Sequence, residues 1–175
     1  MALAVFLDKD GTLVENVPYN VDPARVALTA GAREAVARLA RGGYRVIVVS
    51  NQPGAGLGLF PEDALQAVEA KLRELLPALD GFYYCPHAPA QGCGCRKPAA
   101  GLLERAAREQ GITLAGSWMV GDILDDIEAG RRAGCRTVLL DVGNETEWRL
   151  EAARRPDHVA ATLPEAADII AGAAG

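Results

Sequence analysis

Asp8 and Asp10 stand two positions apart, directly after the apolar run Leu3-Ala4-Val5-Phe6-Leu7 and before Gly11-Thr12. Side chains alternate along an extended strand, so both carboxylates start on one side of it. Gly11 lets the chain turn sharply just beyond them. Two ionised carboxylates this close repel one another. A divalent cation relieves that repulsion, and Mg²⁺ prefers oxygen ligands. Three downstream segments carry matching chemistry. Ser50-Asn51-Gln52 offers a hydroxyl and amides that can donate to phosphoryl oxygens, or that cap a helix or shape a turn. Arg96-Lys97-Pro98 precedes a helix expected near Ala99, where a lysine can neutralise an anion or remain a solvated base. Gly121-Asp122-Ile123-Leu124-Asp125-Asp126 supplies Asp122 as a third metal oxygen. Asp126, one helical turn on, orients Asp122 or caps the helix, and Asp125 suits the positive end of a helix dipole.

A second cluster is of softer chemistry. Cys85, His87, Cys93 and Cys95 lie within eleven residues. Three thiolates and an imidazole make a tetrahedral zinc set with no open position, hence a structural site. The alternatives are reduced thiols in a loop or a disulfide, and the latter is rare in the cytosol. Closing this loop fixes Arg96 and Lys97, which follow at once. Cys135 reads as a buried structural thiol and His158 as a strand-edge residue.

The elements that must hold these groups follow from periodicity. Short apolar runs at residues 4–7, 44–50, 82–84, 118–121 and 136–140 read as buried strands. Helical patterns lie at 31–41, 61–76 (with Pro61 at its start), 99–110, 124–133 and 164–171. Alternating strands and helices predict an α/β fold with a mostly parallel sheet. Such sheets put their sites beyond the carboxyl ends of the strands, near a topological switch. The 175 residues, half of them apolar, suit one domain over 1–175. A net charge of −5 without a basic run argues against nucleic-acid binding. The N-terminal apolar stretch is too short for a signal peptide and no segment approaches transmembrane length, so a cytoplasmic monomer away from membranes is expected. Asn144-Glu145-Thr146 matches a glycosylation acceptor, which in that setting reads as chance.

Asp-x-Asp-Gly-Thr, Ser-Asn, Arg-Lys-Pro and Gly-Asp-x-x-x-Asp, in that order and at strand ends, resemble the haloacid dehalogenase (HAD) phosphatase superfamily over residues 4–134. The resemblance implies a HAD-like Rossmannoid three-layer α/β/α fold. It makes Asp8 the nucleophile that becomes an aspartyl phosphate and Asp10 the general acid, then base. Mg²⁺ would be held by Asp8, the backbone carbonyl of Asp10, and Asp122, while Ser50 and Lys97 bind the transferring phosphoryl group. About forty residues separate Asp8 from Ser50 and contain one helix, so a capless enzyme with an open site is expected. Cys-Pro-His…Cys-Gly-Cys-Arg-Lys-Pro with Tyr19 and Ser50-Asn51-Gln52 further resembles the D-glycero-D-manno-heptose 1,7-bisphosphate phosphatases. That family likeness implies removal of the 7-phosphate on the route to ADP-heptose and lipopolysaccharide precursors, with Tyr19, Asn51 and Arg96 at the substrate. The histidinol-phosphate phosphatase domain shares the zinc loop at 85–95 and is an alternative. So is a non-catalytic zinc-loop module that binds a partner. Leu57, Leu59 and Ile123 stand where the heptose enzymes often carry cations, which touches substrate choice.

Overall fold

Alternation along the first strand decides how the layers form. Val5 and Leu7 pack into one apolar cluster, Ala4 and Phe6 into another on the opposite face. A computed structural model describes residues 1–174. Six strands, β1 (Ala4–Leu7), β2 (Arg45–Asn51), β3 (Gly81–Cys85), β4 (Trp118–Gly121), β5 (Arg136–Leu140) and β6 (His158–Ala160), pair in the order β3-β2-β1-β4-β5-β6. Every pairing is parallel. Helices α1 (Ala32–Arg41), α2 (Leu65–Leu75) and α5 (Leu163–Gly172) cover the Val5 face through Val36, Leu72 and Ile170. Helices α3 (Gly101–Gln110) and α4 (Leu124–Arg132) cover the Phe6 face through Leu102, Leu103 and Ala129. The result is the three-layer α/β/α arrangement with a parallel sheet. Strand order reverses between β1 and β4, so the groups after Leu7 and Gly121 meet at the topological switch point. Between β1 and β2 the chain forms one 3₁₀ turn, Pro23–Arg25, and α1, with no separate cap domain.

Among the boundaries that differ from the sequence expectation, two have clear physical reasons, while the third helix begins at Gly101 rather than at residue 99. The second strand runs on to Asn51, because Ser50 and Asn51 pair with Tyr84 and Cys85 in the parallel ladder. Residues 61–64 do not open the second helix: Pro61 is extended and Glu62–Ala64 form a 3₁₀ turn before α2 begins. The sixth strand escapes the apolar pattern because it has three residues, and His158 and Val159 are exposed. His158 instead lies against the Trp118 ring, centroid to centroid 5.8 Å, while the Arg136 guanidinium covers that ring at 4.0 Å.

Ser117, fully buried just before β4, accepts from Ala4 N at 3.0 Å and donates to Thr113 O at 2.6 Å. It therefore seats β1 beside β4. Ser117→Ala leaves the Ala4 amide without this acceptor and should lower stability by about 1–3 kcal/mol, read from the urea midpoint at unchanged slope.

Candidate active site

Asp8 continues the β1 ladder, its N–H donating to Val120 O at 3.0 Å. The chain then closes on itself: Leu13 N and Val14 N donate to Lys9 O, and Gly11 N to Val14 O. Gly11 takes φ +84°, and a Cβ there would collide with the Asp122 carboxylate and the Asn144 amide. The turn thus presses Asp8 against the end of β4. Gly121 is required for the same reason, since a Cβ on it would strike the Asp126 side chain.

The carboxylates of Asp8, Asp122 and Asp126 bring ligand oxygens within 4.8 Å of one another, all buried. Lys97, 2% exposed, lies among them. Its Nζ donates to Asp8 Oδ1 at 2.7 Å, Asp126 Oδ1 at 2.7 Å and Val49 O at 2.9 Å, so all three of its protons are used. Asp126 Oδ2 accepts from Asp122 N at 3.2 Å and Ile123 N at 3.3 Å, which caps α4. Burial pushes the Asp8 carboxyl up to about 7 against the pull of Lys97, with Asp122 adding to the rise. Burial and the Asp8 charge likewise push Asp126 up to about 7, opposed by Lys97. Asp122 is also raised, first by burial. With all three carboxylates ionised, one ammonium would leave two negative charges uncompensated. A divalent oxygen-loving cation matches that deficit.

Asp10 takes a different position from the three clustered carboxylates. Its Oδ1 pairs with Lys9 Nζ at 3.1 Å, and its Oδ2 accepts from Gln52 Nε2 at 3.0 Å. Gln52 Nε2 also donates to Ser50 Oγ at 2.7 Å, leaving the Ser50 proton free to donate elsewhere. Gln52 therefore joins two groups that sequence reasoning treated separately. Asn51 lines the cavity, but its amide is engaged: Nδ2 donates to Lys97 O at 3.1 Å and Oδ1 accepts from Lys97 N at 2.9 Å. It holds the Lys97 backbone in register with β2. Arg96 keeps one buried guanidinium nitrogen, Nη1, without a hydrogen-bond partner. Tyr19, half exposed at φ 56°, stands near Gly54 beside Phe60, and Leu57 and Leu59 are exposed on the same loop. The cavity over Asp8 is about 270 Å³, lined also by Asn16, Ile123 and Asn144. The sequence marks Asn144 only as a chance glycosylation match, because its contact with Asp122 spans 22 residues and leaves no local pattern. A larger cavity of about 650 Å³ lies along the outer edge of β3, and none of the three clustered carboxylates lines it.

Cys85, at the end of β3, His87, Cys93 and Cys95 form a second cluster within 4.8 Å, and all four thiols of the chain are unpaired by disulfides. Cys85 Sγ is 3.5 Å from Cys93 Sγ and 3.3 Å from His87 Nδ1, which is 3.2 Å from Cys95 Sγ. A tetrahedron with Zn–S bonds of about 2.3 Å has edges of about 3.8 Å, so the four atoms fit one zinc ion. Burial pushes the Cys85 thiol up, and Cys95 rises with it, so a cation is needed for both to become thiolates. Cys93 Sγ accepts from Arg96 N at 3.4 Å, tying the cluster to the segment that carries Lys97.

A HAD-hydrolase-like family model matches residues 94–166. A D-glycero-beta-D-manno-heptose-1,7-bisphosphate 7-phosphatase of Pseudomonas aeruginosa is 42% identical over 63% of this chain and 64% of its own length. That of Bordetella bronchiseptica is 35% identical over 80% of this chain and 81% of its own. A crystal structure of the B. bronchiseptica D,D-heptose 1,7-bisphosphate phosphatase, complexed with magnesium and phosphate, matches 99% of both chains at TM-score 0.81 and 32% identity. A histidine biosynthesis bifunctional protein of Legionella pneumophila is 34% identical over 87% of this chain, which spans 44% of that longer protein.

Lys97→Met leaves Asp8 and Asp126 buried without this cation. Stability in EDTA should fall by about 3–5 kcal/mol in urea titrations. Asp8→Asn removes one of three crowded carboxylates and should leave the midpoint level or raise it.

Proposed function

Because the chain belongs to the HAD-like hydrolases, in the family of the D-glycero-beta-D-manno-heptose-1,7-bisphosphate 7-phosphatases, we propose that it hydrolyses the C7 phosphate of D-glycero-D-manno-heptose 1,7-bisphosphate through an aspartyl phosphate. The product belongs on the route to ADP-heptose and lipopolysaccharide precursors. The observation that carries the reading is Lys97 bonded to Asp8 inside a buried carboxylate cluster at the switch point. We take residues 1–175 to act as one domain and a monomer, in the cytoplasm, on a small phosphorylated sugar rather than on nucleic acid or a membrane. Among the described residues no helix is long and apolar enough to cross a membrane.

Asp8 attacks phosphorus, forming an Asp8 Oδ–P bond as the bond to the leaving sugar oxygen breaks. Asp10 delivers a proton to that oxygen, then takes one from the water that cleaves the acyl phosphate and restores Asp8. Lys97 cancels charge at Asp8 as the anionic group approaches. Ser50, with Gln52 already donating to its oxygen, directs its own proton at a phosphoryl oxygen. We assign Mg²⁺ to Asp8, Asp122 and the Asp10 carbonyl. Asp126 is left as their support, because its oxygens already accept from Lys97 and two backbone amides. Bound there, the ion supplies Lewis-acid charge neutralisation during phosphoryl transfer. Arg96 and Tyr19 face the sugar in this reading, while Asn51, expected there from the sequence, is spent on the Lys97 backbone. The buried unpartnered Arg96 nitrogen suits a phosphate or hydroxyl oxygen.

Zinc held by Cys85, His87, Cys93 and Cys95 does no chemistry but fixes the loop that carries Arg96 and Lys97. Gly56 N donates to Pro86 O at 2.8 Å, so the same loop also steadies the segment bearing Leu57 and Leu59. Those exposed apolar residues, with Ile123 at the cavity, favour a second reading, histidinol phosphate, which carries no second phosphate to meet.

Phosphate release should require Mg²⁺ and fall to background in Asp8→Asn. A higher kcat/KM for heptose 1,7-bisphosphate than for histidinol phosphate supports the first reading, and the reverse order replaces it with the second. Gln52→Ala should lower kcat/KM about 100-fold on an alkyl phosphate but far less on p-nitrophenyl phosphate, whose leaving group needs no proton. Metal analysis should find one zinc per chain. Cys93→Ser should lose it and raise KM, while the Mg²⁺ concentration for half-activation stays level.

A further inference from the structure

Asn144 and Glu145 sit on the long connection from β5 to β6, which the reaction described above leaves without a role. This strap is fastened along the whole of α4. Asn144 Nδ2 donates to Asp122 Oδ2 at 2.7 Å. Glu145 Oε2 accepts from Leu124 N at 2.7 Å, in the first turn of α4, while its Oε1 accepts from Thr146 N at 3.0 Å and Glu147 N at 2.9 Å. Further along, Arg154 pairs with Asp125 at 3.1 Å and with Glu128. Asp157 then pairs with Arg131 at 3.0 Å and accepts from Thr137 N at 2.8 Å.

The two contacts nearest the cavity act on one carboxylate. Asp122 Oδ1 receives the Thr12 hydroxyl at 3.4 Å, a long bond, so the short amide bond on Oδ2 is the stronger restraint on its rotation. A neutral amide donor orients a carboxylate without neutralising it, so the charge remains available to a cation. Glu145 holds the α4 start from the outside while Asp126 caps it from the inside, and Asp122 lies just before that turn in sequence. We propose that Asn144, backed by Glu145, is the positioning residue that sets the Asp122 carboxylate for metal binding, and that the strap exists to deliver it. The proposal rests on the assignment of Asp122 as a Mg²⁺ ligand.

The test is direct binding of Mn²⁺, followed by electron paramagnetic resonance of the free ion, to the full chain without substrate. Partners of metal ligands typically contribute about 10–100-fold in affinity. Asn144→Ala and Asn144→Leu should both weaken Mn²⁺ binding at least about 10-fold, the second because the amide and not its bulk is what counts. The unfolding midpoint in EDTA should match the parent chain, since Asn144 is exposed. Glu145→Ala should shift affinity in the same direction. Wild-type Mn²⁺ affinity in both Asn144 variants, with Asp122→Asn failing to bind, overturns the positioning role alone. Wild-type affinity in Asp122→Asn overturns the ligand assignment itself and the inference with it.

Discussion

An ammonium group buried between two carboxylates organises this molecule. Lys97 is 2% exposed, and removing such a charge from water is costly unless every proton finds an acceptor. Asp8, Asp126 and Val49 O supply them, from the end of β1, the first turn of α4 and the interior of β2. That requirement makes these three segments converge. It also explains why Asn51 clamps the Lys97 backbone and why a four-ligand cluster sits two residues upstream. A lysine on a free loop could not hold three bonds at once against its side-chain entropy.

The same arrangement divides labour among similar side chains. Asp126 is spent on Lys97 and on the α4 amides. Asp122 is oriented by Asn144. Asp10 stands apart between Lys9 and Gln52. Four carboxylates close in space thus differ in what they touch, and the proposed reaction uses that difference to separate attack, proton transfer and support. The site is crowded: glycine is required at 11 and 121 because carboxylates occupy the space of a Cβ.

We place substrate choice on different ground. Asp8, Lys97 and Asp126 are held in one buried network. Leu57 and Leu59 lie on a loop tethered by the Gly56–Pro86 hydrogen bond, and Arg96 is tied to the Cys-His cluster through Cys93. Tyr19, Leu57 and Leu59 are exposed and lie outside the buried charge network.

Local pattern was enough for the architecture. Short β-branched runs alternating with amphipathic helices specified the parallel sheet, and acidic, hydroxyl and basic residues at strand ends marked Asp8, Ser50, Lys97 and Asp122. The Cys-His spacing pointed to one compact cluster, because all four residues lie on one loop. Contacts between distant segments could not be read that way. Asn144 reaching Asp122, Glu145 capping α4, Gln52 bridging Ser50 and Asp10, and Asn51 bonding the Lys97 backbone at the cavity wall depend on side-chain directions set after the layers pack. The sequence marked His158 only as a strand-edge residue, because two exposed residues and one buried one carry too little periodicity to delimit a strand. Residue types and strand-end positions are local properties, so the sequence determined the kind of chemistry. The partner of each buried polar atom depends on which segments meet, so only the tertiary structure decided which donor each carboxylate touches.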